Sequence, residues 1–447
     1  MRCRSVVGPR RPGGRPTARV PRAARTGPVA APDEYPLPAL YPGPRLTHPE
    51  SGATPLSQHG VARRRPPHRP PPHQQLTPRS DMSVPARTRK RAVLAAVSTA
   101  LLAAAGLGAT GAAAAPPAGA AGEPTEVSTL STGWSIPWGV SWLPDASAAL
   151  VTERDSFGLF SVTPDGTRTE LGTVPESETT GGEGGLMGVA VDPEWETNHR
   201  VYVMHTSSEG NRIARMTWDG SSLGGYTVLL DGIAKNRYHN GGRLAFGPDG
   251  YLYATTGDAQ DSALAQDEDS LNGKILRMTT DGEPAPDNPF GNHVYSLGHR
   301  NPQGIAFDAQ GRLWEAELGE NTHDELNLIK PGANYGWPQC EGDCEEPGTT
   351  GPKYTWSTAE ASPSGIAVVD NAVYMASLRG ERLWRIPLDE NSEEVGEAKA
   401  FYVGTYGRLR SATKVPGAEE LWLSTTNADG NGGQPPGSDT LLRVTIG

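Results

Sequence analysis

His239, Asp258 and Arg300 are the residues of this 447-residue chain best suited to move a proton and hold a developing charge. An imidazole within reach of a carboxylate can abstract a proton, because the carboxylate orients the ring and stabilises its protonated form. A lone histidine before a strand is usually structural. Three features raise His239 above that reading: its position in a repeat, the glycine pair after Asn240, and Asp258 one hairpin away. Arg300, Arg408 and Arg410 share one phase of the same repeat, and they are better explained by a polyanionic ligand held through charge-assisted bonds than by surface ion pairs. The chain has no GxSxG elbow, HExxH, Walker loop or dinucleotide fingerprint after a strand. If it is an enzyme, a bound cofactor or metal should carry the hard step.

The repeat is what must position these groups. A small residue, a short apolar run, an Asp/Pro/Gly turn and a second apolar run recur as WGVSWLPD, MGVAVDPEW, GRLAFGPDGYLYATTGD, QGIAFDAQGRLWEAELGE and SGIAVVDNAVYMASLRG, with a looser SATKVPGAEELWLSTTN. Each copy reads as two strands joined by a tight turn. The copies begin near 139, 188, 242, 304, 365 and 412, a period of about 47 to 62 residues. No convincing amphipathic helix interrupts them. The expected fold is therefore all-β, a six-bladed β-propeller of four-stranded antiparallel blades.

Equivalent blades place equivalent residues at one level of the ring. Before the first strands stand Trp138, Glu183, His239 with Asn240, His299 to Gln303, Ser364, and Arg408 to Arg410. After the second strands stand Glu153, His205, Asp258, Glu317 to Glu320, Arg379 and Asn427. An up-and-down hairpin brings both sets to one rim, so a polar pocket is expected there.

Charge divides the chain. Residues 1–122 hold 18 Lys and Arg against 4 Asp and Glu, leaving 22 against 47 in the remainder, a net charge of −25. An acidic body argues against a nucleic-acid partner. Residues 1–81 are rich in Pro, Arg and His and read as a disordered leader. Residues 82–122 read as a secretory signal peptide with a Pro/Gly/Ala spacer: Met82, basic residues, an apolar run from Ala92, then small residues. Translation is expected to begin at Met82 and the product to be exported, with no retained membrane span. The propeller is assigned to residues 123–447. Cys340 and Cys344 are read as a local disulfide, a metal pair being the alternative.

Several longer motifs carry a resemblance that covers about residues 130–445: HNGGRLAFGPDG with TTGD, LNGKILRM with DGEPAPDNPF, YSLGHRNPQGIAF, GENTHDELNLI with GANYGWP, and the late SLRG and GRLR segments. In this order they resemble the soluble pyrroloquinoline quinone (PQQ)-dependent glucose/aldose sugar dehydrogenases, six-bladed propellers. The resemblance implies His239 as catalytic base, Asp258 as its partner and Arg300 beside the reactive quinone carbonyl. It implies Asn301 and Gln303 as cofactor contacts and Glu183 on the cofactor rim, where the family has glutamine. Arg408 and Arg410 would grip the cofactor carboxylates, and Arg379 stands where a lysine is common. Gly319 and Glu320 match the pair whose backbone carbonyls hold calcium, with Glu320 replacing a proline and Leu318 a glutamine. Asp324 and Glu325 are further candidate calcium ligands. The implied reaction is oxidation of an aldose at its anomeric hydroxyl to a lactone, with electrons leaving to an external acceptor. Two other readings stand beside it: a calcium-dependent lactonase-like propeller, and a non-catalytic propeller that binds a sugar or a protein. The sequence names neither the sugar nor the oligomeric state.

Overall fold

The computed structural model describes residues 122–447, which form six four-stranded antiparallel sheets. The leader and signal segment expected before Gly122 lie outside the described residues. The innermost strands are Pro137–Trp142, Leu186–Val191, Leu244–Phe246, Pro302–Phe307, Pro363–Val369 and Leu409–Lys414, each at one of the six sequence copies. Each lies beside the inner strands of the two neighbouring blades, so the six close into a ring. Among the described residues, helix is confined to single turns at Trp195–Asn198 and Ser262–Ala265.

The small residue that opens each copy has a steric cause. A Cβ at Gly188 would collide with the Gly242 carbonyl, and one at Gly304 with the Ser364 carbonyl, each on the next blade. At these positions the inner strands approach backbone to backbone, and only glycine fits; the third and sixth blades carry Arg243 and Ser411 at the same phase. Farther out, large apolar side chains fill the wedges between blades. Tyr202 and Met204 of the second blade pack with Leu252 and Leu276 of the third, and Tyr374 and Leu383 of the fifth with Leu421 and Leu442 of the sixth. Burial of both faces explains why these strands read as continuous apolar runs rather than alternating ones.

The sixth blade is completed by the start of the described chain. Strand Pro124–Trp134 pairs antiparallel with the C-terminal strand Asp439–Ile446. Asp439 is fully buried there; its Oδ2 accepts from the Ile136 amide at 3.0 Å and its Oδ1 from the Thr425 hydroxyl at 3.0 Å. At one mouth of the channel a cavity of about 390 Å³ is lined by the far ends of all six inner strands, from Val140 round to Thr413. The residues singled out by phase lie at the opposite mouth, where the inner strands begin.

Candidate active site

Three loops bring the central residues together. His239 precedes the inner strand of the third blade, Asp258 follows that blade's second strand (Leu252–Thr256), and Arg300 precedes the inner strand of the fourth. His239 Nδ1 lies 2.7 Å from Asp258 Oδ1, with the imidazole 16% exposed and the carboxylate 1%. A carboxylate oxygen accepts, so the ring nitrogen facing it is the protonated one and Nε2 keeps the free lone pair. Asp258 is fixed in turn by the Gln260 amide on Oδ1 (2.8 Å) and the Trp337 indole N–H on Oδ2 (2.8 Å). His239 itself adopts a left-handed backbone, φ 60°, and its amide donates to Glu183 Oε2 at 2.9 Å. Strain of this kind in a non-glycine residue is commonly found at functional positions.

Glu183 joins the second blade to the third and fourth. The same Oε2 accepts from Asn301 Nδ2 at 3.0 Å, and Asn301 Oδ1 accepts from the Gly241 amide at 3.1 Å. Arg300 Nη1 donates to the carbonyls of Leu318 (3.1 Å) and Gly319 (2.6 Å), while its guanidinium lies 5.3 Å from the Trp337 ring centroid. These groups face a cleft of about 600 Å³ whose walls include His239, Asp258, Arg300, Glu320, Trp337 and Glu341.

A second network lies toward the sixth blade. Gln303 Oε1 accepts from Arg410 Nη1 at 3.0 Å and from the Ser364 hydroxyl at 3.0 Å. Arg408 donates to Asp429 Oδ2 at 2.8 Å, with Arg410 3.6 Å from the same oxygen. Burial pushes the Arg410 guanidinium down to about 10, an effect the nearby Asp429 carboxylate partly offsets. Deeper in the channel Arg243 donates to the Gln303 carbonyl (2.8 Å) and the Ser411 hydroxyl (3.0 Å). Burial, with Arg410 beside it, brings Arg243 down to about 9. Arg243 Nη2, Arg300 Nε and Arg410 Nε are buried donors with no partner. Unmatched buried cations of this kind suit an anionic ligand.

The remaining expectations fall in different places. Arg379 is exposed after the second strand of the fifth blade and is not among the cleft residues. Glu320 is exposed and its side chain lines the cleft. Asp324 and Glu325 are buried acceptors behind the cleft wall: Asp324 Oδ1 takes the Gly319 amide at 2.9 Å, and Glu325 Oε1 the Gly342 amide at 2.6 Å. His205 is also buried, bonded to Tyr226 Oη at 2.9 Å, away from the cleft residues. Cys340 and Cys344 are disulfide-bonded.

Sequence reasoning overlooked Trp337, Asp429 and Glu341. Trp337 sits in the GANYGWP motif, where nothing in the residue type or spacing marks it as a donor to Asp258. Asp429 ends a turn with no partner visible in the sequence. Glu341 lies inside the small disulfide loop. Partial burial pushes its carboxyl up, but the backbone amides of His323, Thr322 and Asn321 outweigh this and hold it below the usual carboxylate range.

A six-bladed propeller with a histidine–aspartate pair and under-neutralised arginines at one mouth has a polar site that suits an anionic ligand. The chain belongs to the glucose/sorbosone dehydrogenase family, whose profile matches residues 134–442. It is 32% identical over 298 residues to quinoprotein glucose dehydrogenase B of Acinetobacter calcoaceticus, a match that covers 58% of this chain and 60% of that protein. It is also 32% identical to an Escherichia coli aldose sugar dehydrogenase over 235 residues, covering 49% of this chain and 63% of that protein. The match thus spans less than two thirds of either relative. The PQQ-bound aldose sugar dehydrogenase of Streptomyces coelicolor superposes with a TM-score of 0.70 at 49% identity, covering 74% of this chain and all (100%) of that one.

Proposed function

We propose that the protein is an exported quinoprotein dehydrogenase that oxidises the anomeric hydroxyl of aldose sugars to the lactone, with PQQ as hydride acceptor, calcium as its metal, and an external carrier as the final electron acceptor. The observation that carries this reading is the His239–Asp258 pair, 2.7 Å apart, in the same cleft as Arg300. Family membership and the relatives' names support it, and the unpartnered buried guanidinium nitrogens suit a ligand with several carboxylates. When bound, the quinone supplies a two-electron acceptor and calcium the Lewis acid that polarises it.

The chain's own residues have distinct tasks. His239 Nε2 receives the proton of the sugar hydroxyl, and Asp258 keeps the ring in the tautomer that can accept it. Arg300 offers positive charge where negative charge develops. Arg408 and Arg410 hold carboxylates, Asn301 and Gln303 fix orientation, and Glu183 ties the His239 and Asn301 loops together. Arg379 is the rim cation. The carbonyls of Gly319 and Glu320 would hold the calcium; the former already attracts a cation, Arg300 Nη1, at 2.6 Å. The signal-like segment and the Cys340–Cys344 disulfide support export, since disulfides persist in oxidising compartments.

Titration of the purified chain with PQQ and calcium, followed by dye reduction with a panel of aldoses, tests the reading. Tight binding and calcium-dependent turnover are expected. Failure of the folded protein to bind PQQ in the presence of calcium would overturn it.

A further inference from the structure

The loop after the second strand of the fourth blade (Leu313–Glu317) contains an arrangement that the proposed chemistry does not account for. Four successive backbone amides, those of Glu320, Asn321, Thr322 and His323, donate to a single oxygen, Glu341 Oε1, at 3.0, 3.2, 2.9 and 2.8 Å. These peptides are trans, and in a trans peptide the N–H and C=O point in opposite directions. The unit that carries the Glu320 N–H also carries the Gly319 carbonyl. The unit that carries the Asn321 N–H also carries the Glu320 carbonyl. By gathering both amides on one side, Glu341 turns both carbonyls to the other. Arg300 Nη1 meets the first of them there. Gly319 is required in this turn, because a Cβ would lie 2.6 Å from Glu341 Oε1 and would strike the His323 carbonyl.

Glu341 is itself held on both flanks. Cys340 is bonded to Cys344, and its amide donates to the Gly336 carbonyl at 3.1 Å. Gly342 donates to Glu325 Oε1 at 2.6 Å, which anchors the loop to the blade's third strand (His323–Ile329). The carboxylate is therefore presented by a closed five-residue ring, Cys340 to Cys344, rather than by a free loop.

We propose that Glu341, presented by the Cys340–Cys344 disulfide, is a positioning residue that aims the backbone carbonyls of Gly319 and Glu320 at a divalent cation. The disulfide and the cation site act as one unit, and breaking the first weakens the second. This rests on the calcium part of the proposed function. Residues that orient metal ligands without touching the metal commonly alter affinity about 10- to 100-fold when changed.

The test uses the full chain, its Glu341→Ala and Glu341→Gln variants, and the Cys340→Ser/Cys344→Ser double variant. Two quantities are read: hydrogen exchange of amides 320–323 without ligand, and the calcium concentration that half-saturates PQQ binding. Glu341→Ala should speed exchange of those amides and raise the half-saturating calcium about 10- to 100-fold. Glu341→Gln keeps an acceptor oxygen and should shift both less. The double variant should move in the same direction as alanine, and mild reduction of the parent gives the same comparison if that variant does not fold. Unchanged exchange in Glu341→Ala would overturn the proposal. So would faster exchange with calcium half-saturation within about twofold of the parent, since Glu341 would then only brace the loop. PQQ binding to the parent that ignores calcium would bring down the calcium reading itself, a failure seen before any variant is made.

Discussion

At the scale of single residues, the site is a set of acceptors that decide where protons sit. Asp258→Asn keeps the shape of the His239 contact but can present an amide N–H to Nδ1. The ring then shifts its proton to Nε2, and the base is lost while the cleft remains. Turnover should fall about 100- to 10,000-fold, with PQQ binding retained, and stopped-flow reduction alongside a binding titration would show it. His239→Gln should behave alike. If both variants turn over normally, the proton is taken elsewhere.

Glu325 gives a prediction of another kind. Burial, then the charge of Glu317, pushes its carboxyl up to about 8 from an ordinary 4.5. The folded chain therefore keeps a proton that the unfolded chain releases. The resulting stabilisation is complete below the unfolded value and is lost as pH rises toward the folded one. In calcium-free buffer the melting temperature of the parent should fall between about pH 5 and 8, and Glu325→Gln should flatten that fall. Parallel profiles would mean that Glu325 is ionised in the folded protein.

At the scale of elements, the ring depends on inner strands that touch through glycine. Gly188→Ala places a methyl against the Gly242 carbonyl just after the His239–Asn240 loop. The strands must part, at a cost of about 1–3 kcal/mol, measurable by denaturant unfolding. Because Gly242 belongs to the same turn as His239, turnover should fall as well. A variant as stable and active as the parent would show that the blades can spread freely.

At the scale of the whole molecule, the propeller holds because its last sheet borrows the strand Pro124–Trp134 from the start of the domain. Asp439 fastens that closure by bonding the Ile136 amide and the Thr425 hydroxyl in a fully buried setting. Asp439→Ala leaves these two donors, and the Asn427 and Ala428 amides that also bond its carboxylate, without that partner, at about 1–3 kcal/mol each. Its thermal unfolding should come earlier across all blades together, as followed by tryptophan fluorescence and circular dichroism. Separate transitions would mean that blades unfold independently of the closure.

What the chain determined by itself was whatever local repetition encodes. Six copies of a small residue, an apolar run and a turn announced the six blades, and phase alone brought His239, Asp258 and Arg300 to one mouth, where the structure also has them. Those residues recur at fixed positions in hairpins, and hairpins are local. Partners joined across blades or through irregular loops left no such trace. Asp429 opposite Arg408, Trp337 on Asp258, Glu183 bridging two loops and Glu341 beneath four amides all pair residues whose separation follows no repeat. The same limit placed His205 among the residues expected at the rim. Phase sets the level in the ring but not the direction of a side chain, and only the packing within its own blade turned His205 inward to Tyr226.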